Sequence, residues 1–306
     1  MKYKHIWLLA LSVLAFSCSD DDGHMAAPDN NDDNPAEITG RDVTLRPGDI
    51  DDIHLFNVPA RFEVADNISA GEVRITSDED MDDKISYYIE NGQLHLEGDG
   101  SGGVIIYTHP DNLRKLVVRG NEEVYFEQSP ELDYLEIETQ GNSVLRIDDM
   151  KIRNLVTRRE GGSRMYFSSL LSAFNEDTLY LDQPDVVLLE DHYLVYAEAG
   201  NEYLLFAPFI EVRNDSVIAY RDDTDNLVSY FLTQTHETRS LGNSELHTFE
   251  LPTLRVNARV NGNTETNIWA ADYLEVEGVG NSTVNYIGDP ATELDLNGQA
   301  EVIKVD

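Results

Sequence analysis

Apolar and polar residues alternate along much of this chain, in short runs that each follow a glycine. Four and six residues after the glycine stand two apolar side chains. Examples are Val124/Phe126, Leu145/Ile147, Met165/Phe167 and Val284/Tyr286. A spacing of two is the period of a β-strand, in which successive side chains point to opposite faces. The pattern therefore predicts a series of short strands, each with one buried face.

The glycines themselves recur at a nearly constant interval. The series is Gly100, Gly120, Gly141, Gly161, Gly200, Gly242, Gly262, Gly280 and Gly298. If the two long intervals on either side of Gly200 are double steps, the average step is about 20 residues. A unit this short cannot bury its apolar face alone, but stacked units form a continuous core. We therefore predict an all-β fold, a right-handed parallel β-helix or β-solenoid with coils of about 20 residues.

Asparagine follows most of these glycines, as in Gly141-Asn142 and Gly280-Asn281. Both residue types tolerate a positive φ, so a Gly-Asn step between two strands is typical of a corner. Asparagines at equivalent corners are expected to stack their amides into a hydrogen-bonded ladder. This predicts a structural role for these residues rather than a role in binding a ligand.

The repeat covers most of a single predicted domain, residues 38–306. Residues 38–95 read as strands out of phase with the repeat and predict irregular first coils and an end cap. Two segments, 168–178 and 221–240, depart from the repeat. Such departures map to loops, which often bind, so these two are the predicted binding loops.

Charge narrows the choice of partners. The 306 residues carry 58 Asp and Glu against 22 Lys and Arg, a formal net charge of −36. A surface this acidic repels phosphates and offers few cations for counterion release, so nucleic acid is excluded as a predicted partner.

The N-terminus is typical of an exported protein. Lys2 and Lys4 precede an apolar run over residues 6–16, which predicts a signal peptide over residues 1–17. Cys18 is the only cysteine and directly follows this run, which resembles a bacterial lipobox. The resemblance implies lipidation at Cys18; an ordinary cleaved signal is the alternative. Residues 18–37 are acidic, contain two prolines and predict a disordered tether.

The residues after Cys18, Ser19-Asp20-Asp21-Asp22, resemble the acidic export signal of Bacteroidota lipoproteins. The resemblance implies an outer-membrane protein that is anchored by its lipid and faces the extracellular medium.

Motifs for catalysis are missing from the sequence. It has no Gly-x-Ser-x-Gly, no phosphate loop and no histidine pair with metal-ligand spacing, so we predict no catalytic residue and no cofactor. Asp222, Asp223 and Asp225 form a weak calcium candidate, because closely spaced oxygen ligands suit that ion, although a solvated loop is the favoured interpretation. Arg158-Arg159-Glu160 could supply the base of a calcium-dependent polysaccharide lyase, but two basic residues followed by an acid are too common a pattern to support that activity.

Residues 53–306 resemble the head GIN domain family of auto-transporter adhesins, which is common in Bacteroidota lipoproteins. Phe56-Asn57-Val58, Asn91-Gly92-Gln93-Leu94 and a C-terminal stretch over 274–290 followed by Gly298 carry the resemblance. Most corners here are Gly-Asn where the family would show Gly-Ser-Gly-Asp, and the middle of the chain matches poorly. The resemblance implies a β-solenoid at the cell surface and brings no catalytic residues.

Two functions of different classes remain open from the sequence. The first is a non-catalytic cell-surface lipoprotein with a β-solenoid adhesion or interaction domain, whose ligand is an extracellular glycan or protein. The alternative is a carbohydrate-binding or polysaccharide-cleaving β-helix protein. A groove lined by carboxylates and a basic residue would favour the alternative.

Overall fold

The protein is described by a computed structural model. It describes residues 37–39, 42–46, 50–64, 67–77, 85–100, 102–128, 131–171, 178–180, 185–188, 193–196, 202–206, 209–212, 216–220 and 228–305. The strands all belong to one compact unit, Asn34–Asp306. Within the described residues, the fold is nearly all β and includes a single 3-10 turn at Pro110–Asn112.

The strands of the N-terminal half are β1 (Glu37–Thr39), β2 (Asp42–Leu45), β3 (Asp52–Phe56), β4 (Ala60–Val64), β5 (Val73–Ser77), β6 (Ile85–Glu90), β7 (Gln93–Gly98), β8 (Val104–Thr108), β9 (Lys115–Gly120), β10 (Glu123–Gln128), β11 (Glu131–Gly141), β12 (Val144–Ile147), β13 (Lys151–Gly161) and β14 (Arg164–Ser168). The middle of the chain contributes β15 (Leu170–Leu171), β16 (Thr178–Tyr180), β17 (Asp185–Leu188), β18 (Tyr193–Tyr196), β19 (Glu202–Phe206), β20 (Phe209–Val212), β21 (Ser216–Tyr220) and β22 (Val228–Phe231). The C-terminal strands are β23 (Thr233–Gly242), β24 (Glu245–Gly262), β25 (Glu265–Gly280), β26 (Thr283–Ile287), β27 (Ala291–Gly298) and β28 (Glu301–Lys304).

Parallel ladders with a constant offset dominate the architecture. β9, β11, β13, β23 and the second halves of β24 and β25 pair side by side and end at β27. A second parallel ladder runs through β4, β10, β12, β14, the first halves of β24 and β25, β26 and β28. From β9 to β12 each strand pairs with the second strand after it in the sequence, as β9 pairs with β11 and β10 with β12. The chain therefore alternates between the two ladders.

Glycines occupy the turns between the ladders, as predicted. Gly141 and Gly161 have φ of 91° and 78° and are register partners, and Gly262 and Gly280 repeat the arrangement with φ of 103° and 88°. The positive φ explains the glycine at each corner, because a side chain strains the backbone there. The predicted asparagine ladder is confirmed at three described steps: Asn142 to Asn121 (2.8 Å), Asn263 to Asn243 (3.3 Å) and Asn281 to Asn263 (3.2 Å).

The interpretation of the two long intervals as double steps was wrong. Gly161 pairs directly with Gly242, and the chain between them does not continue the ladder. The described strands of this insertion form a five-stranded sheet (β15, β22, β19, β18, β17) and a three-stranded sheet (β16, β21, β20), with antiparallel pairing. The offset at this one step is therefore 81 residues rather than 20.

The N-terminal strands add antiparallel pairs to the ladders. β3 lies between β7 and β9 in parallel, whereas β6 pairs with β7, and β5 with both β2 and β8, in the antiparallel direction. The corner stacked next to Gly120 is formed by Asn57, and not by Gly100 as the glycine series predicted. The backbone N–H of Asn57 donates to the Arg119 carbonyl oxygen, and Asn57 has the positive φ of a corner, 53°. Asparagine thus takes the place that the glycine series assigned to Gly100.

The core is one apolar cluster formed by buried side chains of both ladders. Inward positions of neighbouring strands are in register: Leu135 pairs with Leu155 and, beyond His236 of β23, Val256 pairs with Leu274, and all four apolar side chains are buried. Burial of apolar side chains in one contiguous cluster supplies the main stabilisation of such a stack.

The C-terminal end of the stack differs from its middle. β27 pairs with β25 and β28 pairs with β26, and no strand in the described part of the chain pairs with their other edges. Leu294 and Leu296 are 47% and 37% exposed, although Leu294 is in register with Val276, which is buried. The inward face of the last strand is therefore open to solvent.

Candidate functional site

Three arginines stand side by side on the outer face of the first ladder. Arg158 of β13, Arg239 of β23 and Arg259 of β24 are register partners, and all three side chains are exposed. Neighbouring strands lie about 4.8 Å apart, so the three side chains leave the sheet close together. We call this set the arginine row. The sequence analysis missed it, because it depends on the 81-residue step between β13 and β23.

The two outer arginines of the row bind carboxylates on the neighbouring strands. Arg158 Nη1 lies 2.5 Å from Glu136 Oε1 and 2.6 Å from Glu138 Oε1. Arg259 Nε lies 3.2 Å from Glu277 Oε2 at the other end of the row. Lys115 Nζ also contacts Glu136 and Glu138, each at 3.0 Å. Arg158 and Arg259 are therefore both paired with carboxylates, and these carboxylates lie on opposite sides of the row.

The pKa values of Glu138 and Arg158 are both shifted by their contacts in this network. Burial alone would raise the pKa of Glu138, but hydrogen bonds from Lys115 and Arg158 outweigh it and lower the pKa. The hydrogen bond to Glu138 in turn raises the pKa of Arg158. Both groups stay charged at neutral pH, so Arg158 and Glu138 remain paired.

A groove of about 490 Å³ lies beside the row on the same outer face. Its lining residues are Thr235, His236, Glu237, Arg255, Val256, Asn257, Asp272, Tyr273, Glu275 and Ala291. Hydrogen bonds along the ladder hold its side chains: Tyr273 Oη donates to Glu293 Oε2 (2.7 Å) and Asn257 Nδ2 to Glu275 Oε2 (2.7 Å). The groove therefore combines a half-buried aromatic ring with amide and carboxylate groups on rigid strands.

A second, smaller recess of about 160 Å³ lies on the other side of the row. Its lining residues are Val117, Arg119, Glu138, Thr139, Gln140, Arg158 and Glu160. Arg158 thus belongs both to the arginine row and to this recess. Glu160 accepts a hydrogen bond from Gln140 Nε2 (3.2 Å), so one acid of the recess is already occupied.

Polar residues also interrupt the core where β13 meets β23. Arg159 is fully buried, and its Nη2 donates to Thr238 Oγ1 (3.1 Å) and to Ser240. Thr157 Oγ1 lies 3.1 Å from His236 Nε2. Burial lowers the pKa of Arg159 to about 9 and, together with the charge of Arg159, lowers the pKa of His236 to about 3. His236 is therefore neutral at physiological pH.

Arg158 and Arg159 do not form one catalytic site. The alternation of a strand sends Arg158 outward and Arg159 into the core. The two arginines considered above as the base of a lyase therefore lie on opposite faces of the sheet and cannot act together. The inward direction of Arg159 could have been predicted from the sequence, because Arg159 follows inward-facing Leu155 by four residues and alternate residues of a strand share a face.

Stacking brings together one histidine pair that sequence spacing did not suggest. His54 and His95 are register partners on β3 and β7, and their ring centroids lie 4.5 Å apart. Tyr88 stacks on His95 at the same distance. Burial and the neighbouring His95 lower the pKa of His54. The result is an aromatic contact between β3, β7 and β6.

The other predicted site residues lie outside the described residues. These are the lipidation site Cys18 and the calcium candidates Asp222, Asp223 and Asp225. The predicted binding loops 168–178 and 221–240 are described only in part. The described ranges contain no group of three or more His, Cys, Asp or Glu side chains that could hold a metal ion. None of their helices is long and apolar enough to span a bilayer.

No protein-family model and no curated protein matches the sequence. The comparison with family models therefore does not support the head GIN assignment.

Solved structures share the fold. A candidate adhesin from Bacteroides fragilis is 14% identical, with a TM-score of 0.54 over 86% of this chain and 94% of that chain. A candidate adhesin from Parabacteroides distasonis is 12% identical, with a TM-score of 0.52 over 86% and 96%. A candidate lipid-binding protein from the same species is also 12% identical, with a TM-score of 0.50 over 87% and 96%. At this level of identity the likeness shows the fold alone.

Proposed function

We propose that this chain is a non-catalytic adhesion or interaction protein of the bacterial surface, and that its binding surface is the outer face of the first ladder. One observation carries the proposal. The groove and the arginine row place an aromatic ring, amides and exposed cations side by side on one face of paired parallel strands. Shallow polar surfaces of this kind suit extended glycans or protein segments.

The proposal extends to the architecture and the anchor. We interpret the two ladders as faces of a right-handed parallel β-solenoid with coils of about 20 residues, in which residues 38–95 provide the first coils and a cap. Register partners 18 to 21 residues apart support this interpretation. Lipidation at Cys18, after cleavage of residues 1–17, would hold the protein at the outer membrane through the tether 18–37. The resemblance of Ser19-Asp20-Asp21-Asp22 to an acidic export signal motivates the outward topology.

The solved structures of similar fold are consistent with this proposal, since two are described as candidate adhesins and a third as a candidate lipid-binding protein. The alternative from the sequence is a carbohydrate-binding or carbohydrate-cleaving protein. The groove has the lining that favours this alternative, because the carboxylates of Glu237, Asp272 and Glu275 stand in it with Arg255. Tyr273 and Asn257 add an aromatic ring and an amide, which suit the binding form of the alternative.

The test is binding of the full chain to arrays of glycans and extracellular-matrix proteins, with and without calcium. Tyr273→Ala should weaken the binding at least fivefold. Tyr125→Ala is the matched control, because Tyr125 is an exposed tyrosine on β10 of the other ladder. Equal binding by both variants would remove the groove from the proposal. Release of shorter products from a bound polysaccharide would replace the proposal by the cleaving alternative.

A further inference from the structure

Arg239 is the one member of the arginine row that binds no carboxylate. Its side chain is exposed, and no hydrogen bond or ion pair joins it to any residue in the described part of the chain. We propose that Arg239, flanked by Arg158 and Arg259, binds the carboxylate of an acidic sugar, so that the outer face recognises a glycan with isolated uronic-acid groups. This inference rests on the proposed function and names its ligand class.

The geometry of the row leaves Arg239 available. Arg158 is drawn toward Glu136 and Glu138 on β11, and Arg259 toward Glu277 on β25. These carboxylates lie on opposite sides of the row, so neither reaches the central guanidinium. Arg239 therefore presents its planar set of N–H donors to solvent, in the arrangement that binds a carboxylate through two parallel hydrogen bonds.

Placing three arginines in register has an energetic cost without a ligand. Like charges directly opposite each other on adjacent strands destabilise a sheet. The chain has 58 acids available and only 22 basic residues, yet the central position opposite two arginines is a third arginine. A bound anion would pair with the central guanidinium, as Glu136, Glu138 and Glu277 pair with the outer two.

The acidic background of the molecule selects the kind of anion. With a net charge of −36, every additional negative group on a ligand adds repulsion, which disfavours nucleic acids and densely sulfated chains. A single carboxylate on an otherwise uncharged region of sugar is affected mainly by charges within a Debye length of about 8 Å. Within that range Glu136, Glu138 and Glu277 are paired with Arg158 and Arg259, so Arg239 is the cation of the row left to attract the ligand.

Groups that can bind sugar hydroxyls surround Arg239 on the same face. Glu237 stands two residues away on β23, and Asn257 and Asn261 stand two residues on either side of Arg259 on β24. Asn257 also lines the groove, so a sugar seated on Arg239 continues directly into it. The arginine row would then bind the charged sugar of the glycan, and the groove would bind the neighbouring sugars.

The test compares a tetrasaccharide that carries one glucuronic acid among neutral sugars with its methyl ester, using isothermal titration of the full chain. The ester keeps the length and hydroxyls of the probe but lacks its charge. We expect the acid to bind at least tenfold more tightly than the ester. Arg239→Gln should weaken binding of the acid about tenfold or more, and Arg239→Lys should restore only part of it, because lysine keeps the charge but not the planar fork.

Arg164→Gln is the matched control, because Arg164 is also an exposed arginine but lies on β14 of the other ladder. It should bind the acid like the unchanged protein, and thermal melts of all variants should coincide. Equal effects of Arg239→Gln and Arg164→Gln would overturn the inference. Equal affinity for acid and ester, or tighter binding of a sulfated tetrasaccharide, would also overturn it.

The proposed function fails separately from this inference. If the full chain binds neutral glycans or matrix proteins through Tyr273 but not the uronate, the adhesion proposal stands and the ligand class is wrong. If no member of the array binds, the adhesion proposal fails as well.

Discussion

Gly141 illustrates how little space a corner of the stack leaves for a side chain. A Cβ atom built there would lie 2.2 Å from the carbonyl oxygen of Gly120, and the backbone has φ of 91°. Gly280 has a similar φ of 88°, but its Cβ would lie 3.2 Å from the nearest atoms of Gly262. Both corners require a positive φ, and only Gly141 also meets a backbone clash.

Gly141→Val and Gly280→Val should therefore differ in cost. We expect Gly280→Val to lower the free energy of unfolding by about 1–3 kcal/mol through backbone strain, and Gly141→Val by about 3 kcal/mol or more, since the clash adds to the strain. Urea unfolding measures both. Gly103→Ala is the control, because a Cβ at Gly103 meets only Pro59 O at 3.8 Å. Equal tolerance of valine at both corners would contradict the assignment.

His236 makes stability depend on pH. Its pKa is about 3 in the folded protein, because the ring is buried and close to Arg159, against about 6.5 in an unfolded chain. Below pH 6.5 the unfolded chain therefore binds a proton that the folded protein does not, so stability falls as the pH falls. The loss begins near pH 6.5 and continues to about pH 3.

His236→Leu should remove this part of the pH dependence. Leucine suits the position, since the register partners of His236 are Leu155 and Val256. From pH 7 to pH 5 the unchanged protein should lose about 2 kcal/mol more of its unfolding free energy than the variant. Denaturant melts at both pH values measure this difference, and pH 5 limits interference from the carboxylates. Parallel losses in both proteins would show that His236 is protonated in the folded state.

Strands β13 and β23 pair as neighbours although an insertion separates them in sequence. At its base, Ser169 Oγ donates to the Phe231 carbonyl oxygen (2.8 Å) and Phe231 N donates to the Ser169 carbonyl oxygen (3.2 Å). Leu170 and Tyr230 are antiparallel partners just beyond. The two ends of the insertion thus meet side by side, which is the geometry of a hairpin.

Replacing residues 171–229 with Asn-Gly should therefore preserve the ladders. A two-residue turn of this type closes an antiparallel pair such as Leu170 and Tyr230. We expect a folded protein with a melting temperature within about 5 °C of the full chain, which corresponds to about 2 kcal/mol for a domain of this size. Circular dichroism and a thermal melt measure the outcome. Loss of cooperative unfolding would show that the insertion is needed for the pairing of β13 with β23.

The sequence predicted the regular part of these elements and failed at the insertion for a definite reason. The positive φ at Gly141 and Gly280 and the asparagine ladder followed from residue chemistry alone. The insertion alternates apolar and polar residues like the repeat, and Gly200 falls in phase with it, so periodicity could not distinguish the two. The arginine row requires knowledge of the register across that gap, which local patterns do not contain.

The proposed membrane anchor and outward topology are tested at Cys18. Cys18→Ser should move the protein from the membrane fraction to the soluble fraction, because a lipid chain can no longer be attached. Fractionation with immunoblotting measures this. On intact cells, added protease should digest the unchanged protein if it faces outward. A Cys18→Ser protein that stays in the membrane fraction, or protection on intact cells, would contradict the anchor or the topology respectively.

The open end at β27 and β28 implies a gradient of local opening along the stack. A strand that is paired on both edges opens only if the hydrogen bonds to both neighbouring strands break. Opening of β27 breaks only its hydrogen bonds to β25, and its side chains Leu294 and Leu296 already contact water. Native-state amide exchange should therefore be fastest in β27 and β28, slower in β25 and slowest in β24. Uniform exchange rates over these strands would mean that the stack opens as one cooperative unit, with its last coil as firmly held as its middle.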